Sequence, residues 1–482
     1  QVPSVLGSPV AYVIITSDAL VAEFQRLADW KTQSGVPAVV RTLSFVRQEY
    51  PFGTDDADRI RQFIRDAYGR WGTKWVLLGG DTDVIPHRNI YTTFFGGETI
   101  PCDMYFSCLD GNWNADGDST YGEGYVSGPN PGDWSDVYPE VYVGRAPVIS
   151  VADAQRFVNK NFQYTRTPLG DYEHQLMFFA EVLFPQYWQP GQATSLDGAE
   201  LVEEVLPSLN LNPDLRYLRL YENYLDPRWA PGSLQETAAI VLDSLDAGYN
   251  MAIHVGHGYR NVMSVGDRTI ENAEVLALTN GDRLSNIYAI DCTSNAIDFP
   301  CIGEAFLNAP NGGAVPNIGH AVTLARRVSR AFQKEYFRLM FDDSITAVGE
   351  VQARQKLPFA PYSVGDNINR WTTTTLLMLG DPELHQWTGT PRTLTVVHPP
   401  TYALSDTGML VNVATGGSPL AGAKVTLYKP GDDLRSATTD GAGNALVEFR
   451  PGATGTFYLT VTGFNCRPRQ DTLTVGPAAA AA

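Results

Sequence analysis

Short apolar runs alternate with amphipathic helical patterns along the first part of the chain. The apolar runs are AYVIIT from Ala11, PAVVRT from Pro37 and KWVLLGG from Lys74. Between them, one stretch after Asp18 and another from Asp55 to Trp71 repeat apolar residues at every third or fourth position. That spacing is typical of a helix with one buried face. A strand–helix–strand–helix–strand order predicts a parallel sheet covered by helices.

A second α/β series occupies residues 148–390. Its strand-like runs are HQLMFFAEV, NMAIHV, NIYAID and AVPNIG, and helical patterns cover 197–206 and 234–247. The two series together predict a doubly wound, mostly parallel sheet built in two subdomains, residues 1–147 and 148–390.

The pattern changes at about residue 391. TLTVV, GMLVNV, AKVTLY, NALVEF, TFYLTV and DTLTV alternate with period two and are separated by turns such as ATGG and DGAGN. Short alternating strands with regular turns predict an all-β immunoglobulin-like sandwich over 391–477. Residues 478–482 are predicted to be a disordered tail.

The composition excludes two classes of partner. The 482 residues carry 35 Lys+Arg against 53 Asp+Glu, a net charge of -18, which repels the phosphates of nucleic acids. No run of 18 apolar residues is present, so no membrane span is predicted. The chain begins at Gln1 without a basic and apolar leader, and we therefore expect a processed, secreted protein. The sequence predicts no particular oligomeric state.

The five cysteines leave at least one thiol unpaired in a monomer. Cys102 and Cys108 are six positions apart and could pair in an oxidising compartment, although spacing does not fix connectivity. Cys301 precedes an apolar helix and is expected to be buried packing.

A histidine and a cysteine each follow a predicted buried strand. His257 stands between Gly256 and Gly258 after NMAIHV, and Cys292 follows NIYAID. The carboxyl ends of parallel strands meet at one edge of a sheet, so the two side chains are expected to be neighbours there. An imidazole beside a thiol promotes the thiolate, the form that attacks carbonyl carbon. His254 lies three positions earlier, so strand alternation predicts that it faces the opposite side as a core residue.

Several strings resemble the gingipain family of cysteine peptidases, in the caspase-like clan. They are HVGHG, AIDCTSNAIDFPCIGEAFLNAPNGGAVPNIGHA, LADWKTQSG, VLLGGD, YPEVYVGRAPV and LGDPEL, and the similarity extends over nearly the whole chain. The resemblance implies a caspase-like α/β fold followed by an immunoglobulin-like module. It also implies an endopeptidase that acts on proteins or peptides through a thioester acyl-enzyme.

The resemblance assigns roles to individual residues. His257 is implied to be the general acid and base, Cys292 the nucleophile, and the amides of Gly258 and Cys292 the oxyanion-hole donors. Glu181, in FFAEV, is implied to orient the imidazole; its plainer interpretation is a solvated acid at a strand end.

Substrate choice is less closely determined. The family holds a basic P1 side chain with an acidic group, for which TSLDGAE offers Asp197 and Glu200, although Ser195 can also be aligned with that position. AVTLARRVSRAF replaces the expected aromatic pocket wall and brings Arg326 and Arg327. These arginines would repel a basic P1 if they lined the pocket, and otherwise belong to a solvated helix face.

A second motif has the spacing of a calcium loop. In NWNADGDSTYGE, positions 1, 3, 5, 7 and 12 carry oxygen ligands and position 6 is Gly117. The predicted ligands are Asn112, Asn114, Asp116, Asp118 and Glu123, with Asp110 upstream as a further ligand. We expect a structural Ca²⁺ site; the alternative is an Asp/Asn-rich turn without a metal.

The sequence thus predicts a secreted, calcium-stabilised cysteine endopeptidase. Two alternatives stay open: a transpeptidase or sortase that uses the same acyl-enzyme, and a catalytically inactive adhesion or interaction protein.

Overall fold

A computed structural model describes residues 2–125, 132–322 and 326–478. Within it, the side chains of Phe95, Arg326 and Arg327 are outside the described part, as are residues 479–482 of the predicted tail. The question of whether the two arginines line a pocket therefore lies outside the described residues.

The first α/β series supplies six strands and three helices. They are β1 (Tyr12–Thr16), α1 (Val21–Gln33), β2 (Ala38–Thr42), α2 (Leu43–Glu49), α3 (Asp56–Trp71), β3 (Trp75–Gly79), β4 (Arg88–Thr92), β5 (Glu98–Cys102) and β6 (Tyr142–Ala146). Three 3-10 turns accompany them, at Asp18–Leu20, Phe94–Gly96 and Asp103–Phe106.

The second series runs from α4 to β18. Its elements are α4 (Val151–Arg166), β7 (Gln175–Ala180), β8 (Val182–Phe184), β9 (Leu196–Asp197), α5 (Gly198–Glu203), α6 (Leu206–Leu209), β10 (Arg216–Tyr221), β11 (Ser233–Gln235), α7 (Ala238–Ala247), β12 (Met251–Val255), β13 (Gly258–Tyr259), β14 (Val262–Val265), β15 (Arg268–Glu271), α8 (Asn272–Leu276), β16 (Ser285–Ile290), α9 (Ile302–Asn308), β17 (Ala314–His320), α10 (Arg326–Phe341), α11 (Val348–Arg354), α12 (Ile368–Thr375) and β18 (Leu376–Leu379). A 3-10 turn at Leu357–Tyr362 precedes α12.

The last part of the chain is built of strands. They are β19 (Leu394–Val397), β20 (Tyr402–Ala403), β21 (Met409–Thr415), β22 (Ser418–Pro419), β23 (Lys424–Lys429), β24 (Asp433–Thr438), β25 (Asn444–Val447), β26 (Gly455–Gly463) and β27 (Cys466–Gly476).

One sheet of eleven strands joins the two α/β series, in the order β11-β10-β7-β12-β16-β17-β18-β6-β3-β1-β2. Neighbouring strands are parallel except β17 and β18, which are antiparallel. The sheet therefore consists of two parallel halves that run in opposite directions and meet at β17 and β18. The carboxyl ends of β7, β10, β11, β12 and β16 all lie at one edge of the second half.

Apolar side chains cover both faces of this sheet. Strands β1, β3 and β12 are buried along their whole length. One core contains Met177, Phe179 and Ala289, and the other contains Phe178, Val255 and Ile290. Strands buried on both faces are typical of a parallel sheet covered by helices, and the predicted fold class is confirmed.

The terminal module packs a four-stranded sheet (β19, β21, β22, β25) against a five-stranded sheet (β20, β27, β26, β23, β24). Their inner faces share an apolar core that includes Val411, Leu427 and Phe457. This is the predicted sandwich. It contacts the α/β part through a hydrogen bond from Gln470 Nε2 to Gln33 Oε1 (2.9 Å) and one from Arg467 to the carbonyl of Leu169 (2.7 Å).

Two expectations from the sequence differ from the structure. The predicted helix over 234–247 begins only at Ala238, where the Thr237 side chain caps it by accepting from the amide of Ile240 (3.3 Å). The residues before it form the edge strand β11. None of the five cysteines, each of which the structure describes, forms a disulfide. The Cys102 thiol is hydrogen-bonded to the carbonyl of Thr374 (3.3 Å), and Cys301 is buried as expected.

Among the described residues, no helix is both long and apolar enough to cross a membrane.

Candidate active site

The register between β12 and β16 places His257 and Cys292 beyond neighbouring strand ends. Val255 pairs with Ile290 at the ends of these parallel strands, and the next amide, Gly256 N–H, donates to the carbonyl of Ile290 (3.1 Å). His257 and Cys292 each follow the last paired residue by two positions. They therefore leave neighbouring strands at the same level, and both are partly exposed.

The backbone of Gly258 lies against that of Cys292. A Cβ atom at position 258 would stand 2.9 Å from the carbonyl oxygen of Cys292 and 3.0 Å from Cβ of Asp291. After the cysteine the chain turns sharply, since Thr293 has φ of 58° and donates its amide to the carbonyl of Val322 (3.2 Å). A β-branched residue in the left-handed region is strained, as is common at functional sites.

Two residues of the neighbouring segment hold His257. Its backbone N–H donates to Oε2 of Glu181 (2.7 Å), and its ring nitrogen Nε2 lies 3.2 Å from the carbonyl oxygen of Leu183. The sequence predicted that Glu181 orients the ring. Glu181 accepts the main-chain N–H of His257, and an orienting role toward the ring stays a prediction.

Glu181 also links the dyad to a second histidine. Its Oε1 accepts from the hydroxyl of Ser264 (2.7 Å), and the carbonyl of Ser264 lies 3.0 Å from Nε2 of His254. The other ring nitrogen of His254 is 3.3 Å from the carboxylate of Asp291, and both side chains are fully buried. His254 thus stands in the core, as strand alternation predicted.

The two candidates for the substrate pocket differ in burial. Asp197 is buried, pairs with Val182 across β8 and β9, and accepts from Nδ2 of Asn223 (3.1 Å). Burial raises the pKa of this carboxyl above its ordinary value. Arg228 lies 3.8 Å away and also pairs with two further acids. Ser195 is exposed, and its amide donates to the carbonyl of Phe184 (2.9 Å).

Three acidic residues of the predicted calcium loop converge. Oxygens of Asp116, Asp118 and Glu123 lie within 4.8 Å of one another. Asp110 belongs to a separate group, with Asp136 and Glu140.

The two asparagines of the loop are engaged differently. Asn112 Oδ1 accepts from the amide of Asn114 (3.0 Å), and Nδ2 of Asn114 donates to the carbonyl of Asp118 (3.0 Å). Asn114 Oδ1 and Glu123 Oε2 are buried oxygens without a hydrogen-bond partner among the described residues. These two atoms are the free acceptors that a bound cation would need.

Sequence reasoning missed several residues around the site. The Leu183 carbonyl is a main-chain group and has no sequence signal. Asp133 accepts the amides of Ala115 and Gly122 and so braces the calcium loop from outside the motif. Glu222 and Glu236 each follow the last residue of a strand, as Glu181 does, but the sequence did not predict these two strands.

Comparison with known proteins gives one matching family and several solved structures of similar fold. The model of peptidase family C25 matches residues 6–387. The crystal structure of the Arg-specific cysteine proteinase gingipain R (RGPB) superposes with a TM-score of 0.74 at 20% identity, over 97% of this chain and 98% of that one. The complex of Porphyromonas gingivalis RgpB pro- and mature domains gives 0.73 at 19% identity, over 96% and 100%. A structure described as a protease gives 0.72 at 17% identity, over 98% of each chain. A search of curated proteins finds no match.

Proposed function

Because this chain belongs to peptidase family C25 and is therefore a cysteine peptidase, we propose that it cleaves internal peptide bonds with Cys292 as nucleophile and His257 as general base. The observation that supports this most is the register of β12 and β16, which sets both residues two positions beyond paired strand ends. The close approach of Gly258 to the Cys292 carbonyl supports the same pairing.

The roles of the two ring nitrogens of His257 are inferred from the contact with Leu183. A carbonyl oxygen only accepts, so Nε2, at 3.2 Å, carries the hydrogen. In the neutral ring, Nδ1 then holds the lone pair and is the atom that takes the thiol proton of Cys292.

Acylation begins when the Cys292 thiolate attacks the scissile carbonyl carbon and forms a C–S bond. The amides of Gly258 and Cys292 would donate to the oxyanion; removal of one such donor in other enzymes costs about 3 kcal/mol of barrier. As the C–N bond breaks, Nδ1 of His257 gives its proton to the leaving amine. The product is a thioester on Cys292.

Deacylation repeats the chemistry with water as nucleophile. The imidazole removes a proton from water, the hydroxyl adds to the thioester carbon, and the C–S bond breaks. The carboxylic acid leaves and the thiolate takes up the proton again.

Glu181 acts in this proposal as a positioning residue. Its carboxylate holds the amide of His257 and the hydroxyl of Ser264, and so fixes the main chain from which the imidazole extends. Hydrogen bonds to a carboxylate are stronger than those between neutral groups. A catalytic group that is held in the correct orientation lowers the activation barrier more than a mobile one.

We also propose a basic P1 side chain that is bound by Asp197. Asp197 lies across from Val182, next to the segment that holds His257. Asp197, Glu200 and Asp226 surround the single guanidinium of Arg228, so this group of four keeps an excess of negative charge. The structurally similar gingipain R is Arg-specific, which supports the same choice.

The calcium loop is proposed to hold one Ca²⁺ through Asp116, Asp118 and Glu123. The convergence of their oxygens and the unpartnered oxygens of Asn114 and Glu123 fit a hard cation. The ion would offset two of the three carboxylate charges and stiffen the loop. Secretion stays a prediction of the sequence, checked by detection of the enzyme in the culture medium rather than in the cells.

Cleavage of a peptide library tests the proposed function. We expect the protein to release products after Arg or Lys, and Cys292→Ala to release none. Asp197→Asn should lower kcat/KM for basic P1 peptides by about tenfold or more, since it removes a charged partner.

Cleavage by Cys292→Ala would overturn the mechanism, and no cleavage by the wild type would favour an interaction protein. Products joined to an added amine would favour a transpeptidase.

A further inference from the structure

A row of carboxylates lies along the edge of the sheet that carries the dyad. Glu236, Glu222, Glu181 and Asp291 each stand one position beyond the end of a strand, β11, β10, β7 and β16 respectively. Only Gly256, after β12, interrupts the row. The strands pair in register, so these residues are lateral neighbours on one face of the sheet.

This face is opposite to the one that carries the dyad side chains. Phe179, two positions before Glu181, belongs to one core, whereas Cys292 packs against the other. Cys292 follows Asp291, and successive residues of an extended chain face opposite sides. Asp197, the proposed P1 acid, pairs with Val182, the residue after Glu181. Glu181 and Val182 therefore face opposite sides of the sheet, and Asn223, which follows Glu222 and donates to Asp197 (3.1 Å), links the row to the proposed P1 acid.

A cavity of about 340 Å³ opens at the outer end of the row. Its lining includes Trp188, Glu222, Tyr224, Glu236, Gly266 and Asp267. Three of these six residues are acidic and two are aromatic.

Glu236 is the residue of this cavity that most needs a partner. It is 1% exposed, and neither of its carboxylate oxygens makes a well-aligned hydrogen bond to the described residues; the amide of Gly266 is the donor that lies beside them. Burial, and after it the charges of Glu181 and Glu222, raise its pKa well above the ordinary value. A buried carboxyl without a partner is costly, and a cation in the cavity would supply the missing interaction.

The acids beside Glu236 are likewise not neutralised by nearby arginines. Glu222 accepts only the amide of Val182 (2.8 Å) among its described hydrogen bonds, and burial is the main cause that raises its pKa to about 7. Arg219 and Arg268 are the arginines nearest in sequence, and they pair with Glu203 and Glu274.

The shape of the cavity favours an organic cation over a metal ion. Glu222, Glu236 and Asp267 do not bring their oxygens within 4.8 Å of one another, whereas two other acidic groups among the described residues do. A single ion needs converging oxygens, but an extended side chain can contact acids that are spread along a wall. Trp188 and Tyr224 offer aromatic surface to a guanidinium or ammonium group.

We propose that this cavity binds a Lys or Arg side chain of the peptide substrate at a position other than P1. The proposal rests on the endopeptidase function. The cavity adjoins the dyad through Glu181, which contacts His257 and is the acid whose charge acts most strongly on Glu236.

Paired peptides that differ by one charge test this subsite. The starting point is a peptide that the enzyme cleaves. One position at a time, from P4 to P4′ but not P1, is replaced either by Arg or by its uncharged isostere citrulline. We expect about a tenfold higher kcat/KM for Arg at one position, mainly through KM. Glu236→Gln and Glu222→Gln should each reduce this ratio to below about threefold. Glu448→Gln, an exposed acid of the sandwich, is the matched charge control and should leave it unchanged.

The peptide without a basic residue outside P1 separates the two proposals. Its cleavage reports on the dyad alone, so it should be lost in Cys292→Ala and retained in both glutamine variants. The subsite is contradicted if no position outside P1 prefers Arg, or if the preference survives in both variants while this reference cleavage persists. If Glu236→Gln fails to fold because the residue is buried, Glu222→Gln still tests the same cavity.

Discussion

Gly258 occupies a position where a side chain has no room. An added Cβ would stand 2.9 Å from the Cys292 carbonyl, so the two backbone segments that carry the dyad would have to separate. We predict that Gly258→Ala lowers kcat/KM by at least about 100-fold, because it displaces an oxyanion donor, while it costs only about 1–3 kcal/mol of stability. Steady-state kinetics and urea unfolding measure the two effects.

The control is Gly69→Ala, on an exposed part of α3 with no atom within 4 Å of the added methyl. It should retain full activity and gain up to about 1 kcal/mol of stability. Equal kinetics for the two variants would show that the close approach at Gly258 does not matter for catalysis.

Single residues were predictable where residue type carries the chemistry. His257 and Cys292 stood out because each follows a buried strand, and strand ends of one half meet at one edge. The contacts that orient the imidazole were not predictable, since the Leu183 carbonyl and the His257 amide are main-chain groups that any residue would supply. The choice between Asp197 and Ser195 as the residue that binds the P1 side chain depends on how deeply each side chain is buried. That burial follows from the pairing of β8 and β9, which the sequence does not reveal.

At the scale of elements, the calcium loop gives the clearest expectation. Ca²⁺ at 100 times its Kd should stabilise the folded protein by about 2.7 kcal/mol, and EDTA should lower Tm accordingly. Glu123→Gln should remove this dependence, because it deletes a carboxylate of the converging group. Asp110→Asn should retain it, since Asp110 groups with Asp136 and Glu140. Differential scanning calorimetry with and without calcium distinguishes these outcomes, and a Tm insensitive to EDTA in the wild type contradicts the site.

Elements of ordinary length were easier to predict than short ones. The long helix α3 and the buried strand β12 follow directly from their periodicity. The edge strand β11 was predicted as helix, because three residues are too few for a period and the apolar pattern of α7 adjoins them. That error hid Glu236, which lies between the two elements.

At the scale of the whole molecule, the sheet reverses direction once, between β17 and β18. The sequence predicted parallel strands in two series but not their relative direction, since an apolar run such as LLML is compatible with either. The reversal confines the active edge to strands of the second half. The first half and the sandwich therefore contribute neither His257 nor Cys292.

The stability of the folded chain is expected to depend on pH through buried acids. Burial, with Asp81 as a further cause, raises the pKa of Glu304 to about 9, against about 4.3 in an unfolded chain. Between these values the folded state holds a proton that the unfolded state has lost. The contribution of Glu304 to stability therefore falls as pH rises from about 5 to 9, by at most about 1.4 kcal/mol per pH unit.

Glu304→Gln removes this titration. In the wild type, the backbone N–H of Cys301 donates to Oε2 of Glu304 (3.3 Å), and the glutamine keeps an acceptor oxygen for this bond. Urea unfolding of both proteins at several pH values should show the variant gaining stability relative to wild type as pH rises. A difference that is constant from pH 5 to 9 would contradict the buried, protonated Glu304.

The rate of alkylation at each thiol tests most directly whether His257 activates Cys292. The other four cysteines are internal controls, because all are buried and burial raises the pKa of each thiol, that of Cys102 to about 11. With iodoacetamide at pH 6, mass spectrometry of the full chain should find Cys292 modified far faster than the rest, and at least about tenfold more slowly in His257→Ala. If Cys292 reacts no faster than the buried thiols, or equally fast without the imidazole, the dyad does not exist.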